Sequence, residues 1–158
     1  MITQKFVDKV RGMKASEIIE TMITGLENPV TVVNMRTYGS ILDGVCYGCA
    51  ATNTIAKLCS FGKVKIKKAV QSDGYTQGLK TYTENRTVNK FVDNFESAID
   101  YLRMGDIDSY NFLAKKEGIA EIKVRLDLPF LTTTYYKNRL HSYKELADLQ
   151  KEWENNNL

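Results

Sequence analysis

Two cysteines three residues apart come nearest to a catalytic pair in this sequence. Cys46-Tyr47-Gly48-Cys49 is a C-x-x-C motif, and at a helix start such thiols can form a disulfide or gain a lowered pKa. A thioredoxin-like site also needs a strand leading directly into the motif, and the strand predicted at 30–33 ends too early. We expect buried structural cysteines, with a thiol-redox protein using Cys46 and Cys49 as the alternative.

The three cysteines and the single histidine also raise the question of a zinc site. Cys46, Cys49, Cys59 and His141 would make a Cys3His set. If 46–59 is one helix, Cys59 lies about 15 Å beyond Cys49, too far to share a tetrahedral ion. The sequence therefore predicts no metal and no cofactor.

A short basic stretch is the second candidate site. Its members are Lys63, Lys65, Lys67 and Lys68. Nucleic-acid modules usually add stacking aromatics or arginines, and only Phe61 and Tyr75 are close in sequence. We expect a solvated strand face whose lysines prevent edge pairing, and binding of a phosphate, nucleotide or nucleic acid is the alternative.

Tyrosines suggest a third kind of site, a protein interface. The chain has nine tyrosines, and tyrosine is enriched at interfaces. The candidate interface residues are Tyr75, Tyr82, Tyr135 and Tyr136.

Apolar spacing predicts about five helices that would position these residues. They are expected at 16–26 with Ser16 as the cap, 44–59 with Asp43 as the cap, 88–102, 106–118, and from the capping box Ser142-x-x-Glu145 onward, where Leu146, Leu149 and Trp153 form the buried stripe. Alternation predicts strands at 30–33, 64–67 and 122–128, and the polar stretch 71–86 is expected to be a long loop.

Small residues dominate the predicted helix at 44–59. Glycine and alanine at close spacing favour a helix buried on several sides, although each internal glycine weakens a helix by roughly 0.5–1 kcal/mol. Asn53 falls within this helix, and its buried amide is expected to bridge to a neighbouring backbone.

Composition indicates an ordinary globular protein. The chain has 158 residues and a net charge of +3, which fits one domain over 1–158 with a frayed tail at 155–158. We expect a helix-dominated α+β fold with at most a small β element. The absence of a signal peptide, of a membrane-spanning apolar run and of an even cysteine count predicts a cytoplasmic protein without membrane contact.

Function is predicted by elimination. Neither GxGxxG nor GxxxxGK[ST] occurs, and no acid–base pair has supporting spacing. We therefore expect a non-catalytic intracellular protein that binds a protein partner through its surface as a regulator or inhibitor. An enzyme and a nucleic-acid binder are less favoured, and homo-oligomerisation stays open.

Overall fold

A computed structural model describes residues 2–72, 85–126 and 136–158. Helices dominate and a small sheet accompanies them, so the predicted α+β class is confirmed. The described residues form seven helices rather than five: α1 (Gln4–Arg11), α2 (Ala15–Glu27), α3 (Ala50–Leu58), α4 (Lys63–Ser72), α5 (Arg86–Arg103), α6 (Ile107–Glu117) and α7 (Tyr136–Asn157). The strands are β1 (Val32–Val33), β2 (Ser40–Leu42) and β3 (Val45–Gly48).

Helix α2 is buried along most of its length and packs against α3 and α7. Gly25 permits the close approach to α3, because a Cβ there would lie 3.2 Å from the backbone carbon of Asn53. Tight packing of this kind excludes water from the centre of the fold.

The N-cap residue of α2 is Lys14 rather than Ser16, which corrects the prediction, and Glu154 of α7 accepts further hydrogen bonds at this helix end. Ser16 lies inside the first turn, where its amide donates to Oε1 of Glu154 (3.1 Å) and its hydroxyl to Oε2 (2.5 Å). Burial raises the pKa of Glu154, but the hydrogen bonds from Ser16 and Gln150 together lower it by more. The pKa of Glu154 therefore lies below its usual value. A carboxylate at a helix N-terminus satisfies otherwise unpaired amides.

The helical hairpin of α5 and α6 confirms the predicted helices at 88–102 and 106–118. Asn85 caps α5 by accepting from the amide of Thr87, and Asp106 caps α6 by accepting from the amide of Ser109. Gly118 ends α6 in the left-handed conformation, which glycine adopts without strain.

The predicted helix at 44–59 is wrong in its first third. Asp43 and Gly44 have positive φ values of 50° and 76° and join β2 to β3 in a hairpin, so Asp43 is not a helix cap. Asp-Gly is a favoured pair for such turns. The helical part, α3, starts only at Ala50.

The predicted strand at 64–67 is also wrong, because these residues belong to α4. Four alternating residues are too few to decide the period, and the buried positions Ile66, Ala69 and Val70 follow helical spacing. Of the predicted loop at 71–86, residues 71 and 72 end α4, and 73–84 lie outside the described residues.

The predicted strand at 122–128 is not formed over its described part, residues 122–126. Side-chain amides, rather than a neighbouring strand, form hydrogen bonds with the backbone of this segment. Asn111 donates to the carbonyl of Ile122 (2.9 Å) and accepts from its amide (2.8 Å), while Gln150 accepts from the amide of Lys123 (2.8 Å).

Helix α7 begins at Tyr136, well before the predicted capping box at Ser142. Of the predicted stripe, Leu146 is buried and Trp153 is half-buried, but Leu149 is exposed because it lies beside the buried face of α7. That face consists of Tyr143, Leu146, Ala147, Gln150 and Glu154. The helix continues through 155–157.

Candidate functional site

The small sheet has the order β1-β3-β2, with β1 parallel and β2 antiparallel to β3. Val32 pairs with Tyr47 and Val33 with Gly48. Among the described residues β1 is therefore an edge strand, and an edge strand offers backbone groups to another extended chain.

The outward groups of this edge belong to Val33. The amide of Asn34 donates to the carbonyl of Gly48 (2.9 Å). Because the N–H and C=O groups of successive strand residues point to opposite sides, those of Val33 point away from β3.

Asn53 of α3 holds the start of β1 in place. Its Oδ1 accepts from the amides of Val30 (2.9 Å) and Thr31 (3.2 Å). Its Nδ2 donates to Thr31 Oγ1 and to the Cys49 carbonyl, both at 2.9 Å. The prediction that Asn53 bridges to neighbouring backbone is confirmed.

Gly48 completes this tie between β1, β3 and α3. A Cβ at Gly48 would lie 2.8 Å from Thr31 Oγ1 and 3.1 Å from Thr52 Cγ2, so any side chain would push β1 away. The hydroxyl of Thr52 in turn donates to the carbonyl of Tyr38, which precedes β2. All three strands are thus anchored on the first turn of α3.

A groove of about 520 Å³ opens beside this sheet. Its lining consists of Pro29, Val30, Thr31, Val32, Val33, Val45, Cys46, Lys63 and Lys67. Val32 is 51% exposed and Val45 is 39% exposed, and these two valines supply apolar surface that is accessible in the described part of the chain. Such surface next to polar groups is typical of binding sites.

The four lysines do not share one face, because they lie on α4 rather than on a strand. Lys63 and Lys67, one helical turn apart, line the groove, and Nζ of Lys67 donates to the carbonyl of Gly44 (2.8 Å). Lys65 instead lies over the ring of Phe61, 4.3 Å from its centroid. Anion binding by Lys63, Lys65, Lys67 and Lys68 stays a prediction.

The three cysteines occupy different places around α3 and all are free thiols. Cys46 lies on β3, whereas Cys49 and Cys59 are the residues flanking α3. Burial raises the pKa of Cys46 although Lys67 opposes the shift, and burial raises the pKa of Cys49 and of Cys59 to about 11. A raised pKa keeps a thiol protonated at neutral pH, the opposite of an activated nucleophile.

A strand does lead directly into the C-x-x-C motif, contrary to the sequence analysis, since Cys46 is part of β3. The motif nevertheless differs from a redox pair in its environment, because Cys49 is deeply buried beside the hydroxyl of Thr52. Its neighbours Asp100 and Glu96 raise its pKa further.

Two other sets of candidate residues can be placed only in part. Tyr75, Tyr82 and Tyr135 lie outside the described residues, and Tyr136 is the first residue of α7. His141 is exposed on α7, 3.8 Å from Glu145.

Within the described ranges no three His, Cys, Asp or Glu side chains form a metal-binding group, and no helix is long and apolar enough to cross a bilayer.

Comparison with known proteins finds no relative of this chain. The chain matches no protein-family model, no curated protein and no solved structure.

Proposed function

We propose that the protein is a non-catalytic binding protein that regulates or inhibits a protein partner, and that the groove beside β1 is its docking surface. The observation that carries this proposal is the combination of an edge strand, exposed valines and two lysines in one groove. A partner segment can add to β1 as a further strand, with main-chain hydrogen bonds to the outward groups of Val33.

The lining defines the chemistry of the partner segment. Side chains of an added strand alternate between its two faces, so apolar residues of the segment would contact Val32 and Val45. No acidic residue belongs to the described lining, and Lys63 and Lys67 place positive charge at one end. The complementary partner is therefore an extended segment whose groove-facing side chains, at every second position, include both apolar residues and Asp or Glu.

Catalysis by the cysteines is less well supported than binding. The thiols have raised rather than lowered pKa values, and a reactive cysteine requires the reverse. Cys46 contributes a small, weakly polar surface to the groove, a role that free cysteine fills as readily as a small apolar residue.

A peptide selection tests the proposal. Short random peptides displayed on phage are selected against the wild-type protein, and the enriched peptides are titrated by fluorescence polarisation. We expect sequences with apolar and acidic residues at every second position, whose Kd rises about tenfold or more with Val32→Lys and with Lys63→Glu.

Matched variants on α4 serve as controls. Val64→Lys changes a valine that is 80% exposed and outside the groove, and Lys65→Glu reverses a charge outside it. Both should leave Kd within about twofold. Equal binding by wild type, Val32→Lys and Lys63→Glu would refute the proposal.

The same charge reversals distinguish a peptide ligand from a nucleic-acid ligand. Non-specific attraction to phosphates depends on total charge and weakens with salt. A nucleic-acid ligand would therefore respond equally to Lys63→Glu and Lys65→Glu, whereas the proposed peptide distinguishes the two.

A further inference from the structure

A second cavity, of about 290 Å³, lies where α1, α5 and α6 meet. Its lining includes Val7 and Phe91, which are buried side chains of the core. Sites for small molecules usually measure roughly 300–1,000 Å³. The volume of this cavity is therefore suited to one small ligand or to one group of a larger ligand.

Three cationic side chains, each from a different helix, line this cavity. They are Arg11 of α1, Lys90 of α5 and Lys116 of α6. Both lysines are exposed, and neither forms an ion pair with any residue that the structure describes. Cations that line one concave surface attract small anions to it.

Arg11 is held in place by the protein itself. Its Nε donates to the carbonyl of Glu117 (2.9 Å), and its guanidinium carbon lies 5.2 Å from the ring centroid of Phe91. The side chain is still 44% exposed, so that small solutes can reach it. Its two terminal nitrogens form no hydrogen bond with the described residues, and such a fork matches two oxygens of one anion.

Glu117 is the one acidic residue in the described lining. Its Oε1 accepts a hydrogen bond from Nδ2 of Asn94. Its Oε2 lies 3.9 Å from Nη2 of Arg11, which is beyond hydrogen-bond distance. This carboxylate offsets one of the three cationic charges, and the described lining keeps a net positive charge.

We propose that this cavity binds the diphosphate group of a small molecule, with Arg11, Lys90 and Lys116 as its cationic contacts. A phosphate group is tetrahedral and presents oxygens in several directions, whereas the two oxygens of a carboxylate lie in one plane. Cations from three helices therefore fit phosphate better, and two linked phosphates supply more than one negative charge. The site shares no residue with the groove beside β1 and does not rest on the proposed function.

Isothermal titration calorimetry of the whole chain with sodium pyrophosphate tests the site. At an ionic strength of about 0.15 M, which screens distant surface charges, we expect one pyrophosphate to bind per chain. The double variant Lys90→Gln/Lys116→Gln should raise Kd about tenfold or more. Both lysines are exposed and unpaired among the described residues, so this variant should fold like wild type.

A second double variant is the matched control. Lys5→Gln/Lys115→Gln removes the same charge from exposed positions of α1 and α6 that lie outside the cavity lining. Its Kd should stay within about twofold of wild type. Equal weakening in the two double variants would show attraction to total charge and would overturn the proposal. Absence of saturable binding to wild type would overturn it as well.

Two further titrations define the ligand class. Citrate, an anion with several carboxylates, should bind about tenfold more weakly than pyrophosphate, and equal affinity would overturn the assignment to phosphates. ADP contains the same diphosphate group. An affinity for ADP close to that for pyrophosphate supports a site for organic diphosphates whose remainder stays in solvent, whereas weaker binding of ADP supports free pyrophosphate as the ligand.

Discussion

Asn53 and Arg139 are both enclosed polar side chains, but their surroundings are opposite. The amide of Asn53 bonds to Thr31 and to the backbone on either side of it. The guanidinium of Arg139 has no hydrogen-bond partner among the described residues. Burying a polar group is favourable only when it is fully paired. Asn53 is therefore part of what stabilises the fold, whereas the buried, unpaired charge of Arg139 opposes it.

Removing the satisfied amide should have the largest effect on stability. Asn53→Ala leaves the amides of Val30 and Thr31 and the hydroxyl of Thr31 without the partner that Asn53 supplies, whereas the Cys49 carbonyl still accepts from the backbone amide of residue 53. We expect the free energy of unfolding to fall by about 3–4 kcal/mol, as measured by urea denaturation. A loss below about 1 kcal/mol would contradict the assignment of Asn53 as the tie between β1 and α3.

Glu154 extends the comparison to a charged side chain that is fully paired. Glu154→Gln should cost about 2 kcal/mol at neutral pH, because its bonds to Ser16 lose their ionic character. The pKa of Glu154 is lowered in the folded state. Its contribution is therefore present above the unfolded pKa of about 4.3 and disappears as the pH falls through the folded pKa.

The pH dependence supplies the check on that prediction. Urea midpoints of wild type and Glu154→Gln should differ most at neutral pH and converge in acid. A constant difference across this range would show that the carboxylate is not ionised in the folded protein.

Removing the unpaired guanidinium of Arg139 should raise the free energy of unfolding rather than lower it. Arg139→Met is expected to raise the free energy of unfolding by about 1 kcal/mol, because an apolar side chain of similar length needs no partner. Arg125→Met, which removes an exposed arginine of the segment 122–126 that pairs with Asp108 of α6, should leave the urea midpoint unchanged. A marked loss of stability in Arg139→Met would show that the guanidinium is already paired within the chain.

A half-buried amide gives the smallest expected loss of stability. Asn111 makes two hydrogen bonds to the backbone of Ile122, and water can replace part of them after substitution. Asn111→Ala should lower the free energy of unfolding by about 1 kcal/mol in the same urea assay. A loss as large as that of Asn53→Ala would mean that burial of the amide does not determine how much its removal lowers the free energy of unfolding.

The elements with long periodic patterns were predictable from the sequence. The apolar stripe of α5, together with Gly105 and Asp106, predicts the α5–α6 hairpin because many positions agree with one period. Segments with four alternating residues, such as 64–67, do not contain enough positions to distinguish a strand from a helix.

The groove could be predicted only in its parts. The strand near 30–33, Cys46 and the lysines were identified, but their assembly depends on the hairpin at Asp43-Gly44, whose turn signal was interpreted as a helix cap. The burial of Arg139 had no sequence signal, because long charged side chains are usually exposed, whereas Arg139 is buried.

The tie through Asn53 has a consequence for hydrogen exchange. The amide protons of Val30 and Thr31 lie at the edge of a minimal sheet, yet their acceptor belongs to a helix in the centre of the fold. Their exchange with deuterium should therefore require opening of the centre itself rather than local fraying. Hydrogen exchange at the start of this peripheral strand should therefore follow the global unfolding equilibrium.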